Sequence, residues 1–269
     1  MAKTRTQAEF GDFQTPLTLA RQVCGLVRRL HGRPAAVLEP TCGQGAFLLA
    51  ALEELDARAV HGYDLSEAHL ADASKRLAEL RTSPAVTLRR ADFFDTDWDA
   101  VLGSLPAPVL VVGNPPWVTS AALGALGSGN LPAKSNLHGW KGLDALTGRS
   151  NFDVSEWMLL RLLGAMVGRP ATLAMLVKTA VARKVLAHAW SQGLPVQSAA
   201  LYSIDAARSF DAAVDACLLV VGLGDRASDT RCAVHSSLES TEAVSTLGFA
   251  DGRLLADVDA YRRRRGLLP

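Results

Sequence analysis

The hydrophobic residues of this chain gather in short runs, and the stretches between the runs repeat their apolar positions at helical spacing. The runs predict strands at 35–39, 59–64, 85–90, 108–114 and 171–178, followed by two later strands at 197–203 and 214–222. The intervening stretches predict helices at 46–55, 67–81, 153–167 and 181–191, and a last amphipathic helix is predicted over 251–265. The pattern therefore indicates an α/β protein.

The order of these elements also predicts how the sheet is built. Strands that alternate with helices form parallel sheets, and apolar runs without alternation are typical of strands that are covered on both faces. The segment 119–150 is different, because it holds six glycines and shows little periodicity. Loops of this length tend to be functional or disordered. We interpret this segment as a lid on the substrate side, with a plain surface loop as the alternative.

Composition narrows the classes of function. The chain has 269 residues, 49% of them hydrophobic, which is enough to bury a core, and its formal net charge of +1 argues against a broadly basic nucleic-acid coat but not against a local basic face. Its four cysteines contain no C-x-x-C pair, so neither a zinc ribbon nor a disulfide framework is expected, and no metal site is predicted. Without an export signal or an apolar stretch of about 20 residues, the expected location is the cytoplasm, away from membranes.

The first strand runs directly into a glycine-containing turn, Glu39-Pro40-Thr-Cys42-Gly43-Gln-Gly45, that opens a helix. Glycines in such a turn let the backbone bend sharply and approach a ligand closely. A strand–GxG–helix pattern is a weak signal by itself. A dinucleotide fingerprint wants a small residue three positions after Gly45, and Leu48 stands there, which argues against a dehydrogenase.

Two further strands end in acidic residues. Asp64 closes the second strand, 19 residues after Gly45, where a carboxylate can accept hydrogen bonds from both hydroxyls of a ribose. The alternative is that Asp64 or Ser66 caps the next helix. Asp92 and Phe93 follow the third strand, where Asp92 could accept from an adenine amino group and Phe93 could cover its ring. A simple turn or helix start at Asp92 is equally compatible with the sequence.

The segment Asn114-Pro115-Pro116-Trp117 follows the most apolar strand of the first half, at the edge where ligands bind in open α/β sheets. Two consecutive prolines fix the backbone and leave carbonyl groups without neighbouring donors. The Asn114 side-chain oxygen and the Pro115 carbonyl can then accept both hydrogens of a planar amino group, while Trp117 offers a flat face to a base. This motif favours chemistry on an exocyclic amino group over a plain turn.

Together these motifs resemble the S-adenosylmethionine-dependent DNA methyltransferases that modify amino groups, in particular the adenine-N6 enzymes with an Asn-Pro-Pro-aromatic motif. The resemblance implies a Rossmann-like class I methyltransferase fold, with a mostly parallel seven-stranded sheet and an antiparallel last strand, in one catalytic domain over 1–265. Its implied reaction is direct methyl transfer to N6 of an adenine flipped out of duplex DNA, in a restriction-modification or related defence system.

The resemblance also implies a role for each motif. Phe13-Gln-Thr15-Pro16 matches the cofactor motif that precedes the glycine motif in this subgroup, and Asn151-Phe152-Asp153 matches a later motif that contacts the cofactor. The implied cofactor contacts are Thr15, Pro16, Glu39, Pro40, Cys42, Gly43, Gly45, Asp64, Leu65, Asp92, Phe93 and Asn114. The implied catalytic residues are Asn114, Pro115, Pro116 and Trp117, with Trp117 and Phe210 also on the DNA side. Lys178 is a further candidate DNA contact, because it follows a buried strand whose end should face the site, and a solvated surface charge is the alternative.

Two features depart from the family pattern. Trp117 stands where Tyr or Phe is more usual, which leaves the N4 amino group of cytosine open as an acceptor. No separate target-recognition region is expected between the predicted core and Pro269. The expectation is therefore either that the chain is a catalytic core or fragment, or that a partner subunit or the glycine-rich lid reads the DNA sequence.

Alternative functions remain open from the sequence. A protein-glutamine methyltransferase uses the same Asn-Pro-Pro-aromatic motif but typically carries an extra helical domain, whereas only 38 residues precede Glu39. RNA adenine is another acceptor. A non-catalytic, cofactor-binding subunit of a modification complex is the alternative outside catalysis.

Overall fold

The fold is a sheet of ten strands between two layers of helices. The computed structural model describes residues 14–80, 85–119, 153–225 and 230–265. The strands are β1 (Ala36–Glu39), β2 (Ala59–Asp64), β3 (Ala85–Arg90), β4 (Val109–Gly113), β5 (Ala171–Lys178), β6 (Val196–Ile204), β7 (Ala216–Leu223), β8 (Arg231–His235), β9 (Ser245–Ala250) and β10 (Arg253–Leu255). They lie in the order β10-β9-β8-β6-β7-β5-β4-β1-β2-β3.

The helices in the described residues alternate with the strands as far as β7, and the last helix follows β10. They are α1 (Leu17–His31), α2 (Ala46–Glu54), α3 (Glu67–Ala78), α4 (Trp98–Gly103), α5 (Val154–Ala165), α6 (Thr179–Ser191), α7 (Ala206–Phe210) and α8 (Val258–Arg265). One hydrophobic core joins the sheet to α1, α2 and α3, and a second core on the other face joins it to α4, α5 and α6. The central strands β1, β4 and β7 are buried along their entire length, as expected for strands that are covered on both faces.

The direction of the chain through the sheet reverses between β1 and β4. From β1 the chain moves outward to β2 and β3, and it then crosses back to β4 and β5 on the other side of β1. These five strands are parallel, so the ends of β1, β2, β3, β4 and β5 all lie at the same edge. In open α/β sheets, ligands bind at such a reversal, outside the carboxyl ends of the strands.

The predicted parallel α/β architecture is confirmed for the first five strands, and β7 is the expected antiparallel strand. The prediction of seven strands is wrong, because β8, β9 and β10 extend the sheet beyond β6. These three strands are short and only partly buried, so they lack the continuous apolar runs that mark the inner strands. The predicted helix over 251–265 begins only at Val258, since Arg253–Leu255 pairs with β9 as β10. The glycine-rich segment lies outside the described residues after Thr119.

Candidate functional site

The glycine turn after β1 and the carboxylate at the end of β2 form one hydrogen-bonded unit. The Gly43 N–H donates to Asp64 Oδ2 and the Ser66 N–H donates to Asp64 Oδ1, both at 2.8 Å. Ser66 caps α3 through its own hydroxyl, which accepts from the His69 N–H. Asp64 therefore does not cap the helix. Each oxygen of its carboxylate can accept further hydrogen bonds, so the pair can still bind two hydroxyl groups.

The N-terminal motif covers this turn. Gln14 Oε1 accepts a 3.0 Å hydrogen bond from the Gln44 N–H, and the same oxygen would lie 2.7 Å from a Cβ at position 43. Gly43 also has φ +49°, a backbone conformation that favours glycine, and a Cβ there would have to displace the Gln14 amide. Thr15 and Pro16 are half-buried beside it, and Pro16 precedes α1. The structure thus brings the first two predicted motifs together.

Glu39 is a buried carboxyl group at the end of β1, with an exposed fraction of 3%. Burial raises the pKa of Glu39 well above its ordinary value. The hydrogen bond from the Leu48 N–H lowers this pKa, and the negative charge of the nearby Asp64 raises it further. Its Oε2 has no hydrogen-bond partner among the described residues. A buried acceptor of this kind suits a cationic or N–H-bearing ligand, because such a donor would supply the missing hydrogen bond.

The residues around the turn divide between backbone and side-chain roles. Cys42 accepts from the Gly45 N–H through its carbonyl and donates its own N–H to the Tyr63 carbonyl, while its thiol is packed in the core. Burial raises the pKa of this thiol, so it is a poor nucleophile. Pro40 is buried beside Glu39. Gly45 has φ +77°, and a Cβ there would lie 3.1 Å from Ala73 Cβ.

The predicted adenine contacts lie after β2 and β3. Leu65 follows Asp64 and is 44% exposed, so its side chain is accessible to a ligand beside Asp64. Asp92 Oδ1 accepts from the Phe94 N–H at 2.9 Å, so the turn expected as an alternative is present. Phe93 is buried against Trp98 and Trp157, with ring centroids 4.8 and 6.0 Å away. Only 7% of Phe93 is exposed, and its contact with an adenine ring stays a prediction.

The Asn114-Pro-Pro-Trp segment leaves β4 directly beside Glu39. A Cβ on Gly113 would lie 3.6 Å from Glu39 Cγ, which places the side chain of Glu39 against the end of β4. Asn114 is half-buried and Pro115 is buried. The end of the glycine-motif strand and the start of the predicted catalytic motif therefore meet at the point where the sheet reverses direction.

Trp117 and Phe210 contact each other although 93 residues separate them. Their ring centroids are 5.2 Å apart at 70°, an edge-to-face arrangement. The Trp117 indole N–H donates to the Leu176 carbonyl of β5 at 3.1 Å. Phe210 ends α7, which follows β6 at the same edge of the sheet. The structure thus joins the two aromatic residues that the sequence analysis assigned to the base.

Lys178 lies at the predicted edge, at the end of β5, but its charge is paired. Its Nζ donates to Asp153 Oδ2 at 2.8 Å. Asp153 Oδ1 accepts from the N–H and the hydroxyl of Ser155 and so caps α5. Asp153 is the described part of the predicted Asn151-Phe152-Asp153 motif. Asn151 and Phe152 lie outside the described residues.

The described part of the chain holds no cluster of three or more His, Cys, Asp or Glu side chains that could bind a metal. Within the same ranges, no helix is both long and apolar enough to span a membrane.

Comparison with known proteins gives both a sequence relative and fold relatives. The chain is 38% identical over 264 residues to the type II methyltransferase M.NspV from Nostoc sp.. The aligned region covers 98% of this chain and 55% of that protein. The chain therefore spans about half the length of this curated relative. No family model matches the sequence. This relationship confirms that the chain resembles a type II methyltransferase over nearly all of its own length.

Solved structures give the fold. A protein of Listeria monocytogenes described as a class I S-adenosylmethionine-dependent methyltransferase matches with a TM-score of 0.57 at 14% identity, covering 84% of this chain and 67% of that one. The M protein of the type I restriction enzyme EcoKI matches with a TM-score of 0.53 at 13% identity, covering 82% and 48% of the two chains. These likenesses confirm the predicted class I methyltransferase fold.

Two features of the site were not predicted from the sequence. Gln14 was part of the N-terminal motif, but nothing in the sequence showed that its amide lies over Gly43 and Gln44. Thr41, inside the glycine motif, carries a buried hydroxyl oxygen without a hydrogen-bond partner among the described residues, next to Glu39 in the turn. The position of Thr41 between two predicted contacts was the available signal.

Proposed function

We propose that this chain, a relative of a type II methyltransferase with the class I methyltransferase fold, transfers a methyl group from S-adenosylmethionine to N6 of an adenine in DNA. One observation carries the proposal. The Asn114-Pro-Pro-Trp segment leaves the sheet beside the buried carboxyl of Glu39, and Trp117 contacts Phe210 at the same edge. Groups that can accept from an amino group, and a pair of aromatic side chains, thus adjoin a cluster suited to a nucleoside-containing cofactor.

The residues present fit S-adenosylmethionine. Asp64 can accept hydrogen bonds from the ribose hydroxyls beside those from Gly43 and Ser66, and the exposed Leu65 can cover the adenine. The unpartnered Glu39 Oε2 suits the amino group of the methionine part. When bound, the cofactor supplies a methyl group on a sulfonium, which is an electrophile.

The chain's own residues then act on the acceptor base. The amino nitrogen of adenine is a poor nucleophile because its lone pair is delocalised into the ring. The Asn114 side-chain oxygen and the Pro115 carbonyl accept the two hydrogens of this amino group and stabilise the positive charge that develops on it during transfer. Pro115 and Pro116 hold these acceptors rigidly. Trp117 and Phe210 offset part of the stacking lost when the base leaves the duplex.

The substrate and the wider context belong to the same proposal. We infer that the DNA base is flipped from a duplex and that the chain acts within a restriction-modification system as a single catalytic domain over 1–265. A separate subunit that reads the target sequence stays a prediction. The type II methyltransferase from Nostoc sp. supports the reaction class, while the base and the target sequence require experiment.

Methyl transfer to three acceptors tests this proposal. The purified chain is incubated with tritiated S-adenosylmethionine and with unmethylated plasmid DNA, total RNA or bulk protein. We expect label in DNA, and nucleoside digestion should show N6-methyladenine. Asn114→Ala should lose transfer by about 100-fold or more while it retains cofactor binding by calorimetry. Gln192→Ala, which removes an exposed amide at the end of α6, is the matched control and should behave as the wild type.

Each other outcome has a definite meaning. N4-methylcytosine in place of N6-methyladenine would correct the base. Label in RNA or protein but not in DNA would replace the substrate. Normal cofactor binding without label in any acceptor would favour the non-catalytic subunit. Wild-type transfer by Asn114→Ala would refute the assigned role of the motif.

A further inference from the structure

We propose that Lys178 is a positioning residue, which holds the end of the catalytic segment through Asp153 and does not contact DNA phosphates. The inference rests on the proposed function, because it assigns Lys178 to the support of the Asn114-Pro-Pro-Trp segment. It revises the expectation that Lys178 binds DNA.

The ion pair is the starting point. Lys178 Nζ lies 2.8 Å from Asp153 Oδ2, and the two side chains are 26% and 9% exposed. A carboxylate that is this well buried depends on its partner, since removing the cation would leave an uncompensated charge. Asp153 already balances the charge of this ammonium, which weakens the attraction of Lys178 for a phosphate. The charge of Lys178 is therefore paired within the protein.

Asp153 is linked in turn to the residues that follow Trp117. Thr119 and Asp153 form an antiparallel bridge, and the Val154 N–H donates to the Val118 carbonyl at 2.9 Å. The other oxygen of the Asp153 carboxylate accepts from Ser155 and caps α5. The position of Asp153 thus sets the position of Val118 and Thr119, directly after the predicted catalytic motif.

The same strand holds this segment at a second point. Trp117 donates its indole N–H to the Leu176 carbonyl, two residues before Lys178 on β5. The end of β5 therefore holds the segment at two points. Leu176 binds Trp117 directly, and Lys178 holds Val118 and Thr119 through Asp153.

A second lysine stabilises the same turn of α5. Lys184 of α6 lies 3.1 Å from Glu156 Oε2, and the Glu156 side chain is only 5% exposed. Two carboxylates in the first turn of α5 are thus each paired with a lysine from the β5–α6 unit. These ion pairs connect the start of α5 to β5 and α6. They also give both lysines near the site a partner within the protein, so a DNA contact is not needed to explain them.

Two roles of Lys178 predict different results for the same variants. Lys178→Met removes the cation, and Asp153→Asn removes the opposite charge while its side-chain oxygen can still cap α5. If Lys178 positions the segment, each variant should slow single-turnover methyl transfer to unmethylated plasmid DNA by about 10- to 100-fold. DNA affinity and its salt dependence should stay as in the wild type. Because both changes break one contact, the double variant should be no slower than the slower single variant.

Conservative and control variants sharpen this comparison. Lys178→Arg keeps the ion pair and should restore most of the transfer rate. Lys75→Met removes an exposed lysine from α3, away from this ion pair, and should change neither rate nor binding. If Lys178→Met does not fold, the double variant still reports on the pair, because it leaves no unpaired charge at this position.

The inference is overturned if Lys178→Met weakens DNA binding and lowers the slope of log affinity against log salt by about one, while Asp153→Asn does neither. It is also overturned if both single variants transfer methyl groups at the wild-type rate, or if their effects multiply in the double variant. The Asn114→Ala variant shows whether only the positioning role of Lys178 fails or the proposed function fails as well. An inactive Asn114→Ala next to a fully active Lys178→Met would leave the proposed function standing and remove the positioning role.

Discussion

Replacement of Glu39 by Gln tests the electrostatics of the proposed cofactor site, formed by Glu39, the glycine turn and Asp64, without any ligand. Burial raises the pKa of this carboxyl well above its ordinary value of 4.5, with the Leu48 N–H opposing and Asp64 adding to the change. Glutamine has nearly the same shape and still offers an oxygen to the Leu48 N–H, but it cannot ionise. The substitution therefore removes the titration and leaves the packing in place.

The direction of the effect follows from proton binding. Above pH 4.5 the unfolded chain has released the Glu39 proton, whereas the folded chain keeps it up to the raised pKa. At Glu39 folding therefore takes up a proton in this window, and the contribution of this residue to the free energy of unfolding falls as pH rises. The fall is at most about 1.4 kcal/mol per pH unit. The Glu39→Gln variant lacks this contribution, so its stability relative to the wild type should increase with pH.

Urea unfolding of both proteins without added cofactor, at about pH 5 and about pH 8, measures the difference. Glu53→Gln is a control of opposite sign. The hydrogen bond from Arg21 lowers the pKa of Glu53, so this residue stabilises the fold above its ordinary pKa and loses that effect in acid. Glu53→Gln should cost at most about 1 kcal/mol near neutral pH, since the pair is largely exposed. A Glu39→Gln difference that stays constant or shrinks between the two pH values would refute the reasoning.

The first seven strands could be predicted because each is a compact run rich in apolar or β-branched residues, although β3, at the edge of the sheet, is mostly exposed. The bounds of β2, β3 and β5 agree with the predicted strands, each of which is a compact run between turn residues. Helix α1 has apolar residues at helical spacing, among them Leu19, Val23 and Leu26, and this signal was present but not used. The strands β8, β9 and β10 were missed because their burial alternates irregularly over a few residues.

Local motifs located the candidate site, whereas its support depends on contacts between distant segments. Glycines, an acidic residue at a strand end and a double proline carry their chemistry in the sequence itself. The pair Lys178–Asp153 does not, because only the folded sheet brings β5 next to the start of α5. A lysine after a buried strand is compatible with a phosphate contact or an ion pair, and its partner decides between them. The same reason hid the position of Gln14 over Gly43.

Two packing predictions test the geometry around the site by urea unfolding. Gly62→Ala should destabilise by about 1–3 kcal/mol, because its Cβ would lie 2.5 Å from Leu48 Cδ1 and 2.9 Å from Leu88 Cδ2. Gly25→Ala in α1 meets nothing closer than 3.9 Å and should instead stabilise by about 0.5–1 kcal/mol. Trp117→Phe should cost about 1 kcal/mol more than Trp157→Phe, because both indoles are 6% exposed but only Trp117 donates a hydrogen bond, to Leu176. The Trp157 N–H has no partner among the described residues, so its loss removes an unsatisfied donor. Equal costs for the two tryptophan variants would mean that the bond from Trp117 to β5 contributes nothing to holding the catalytic segment.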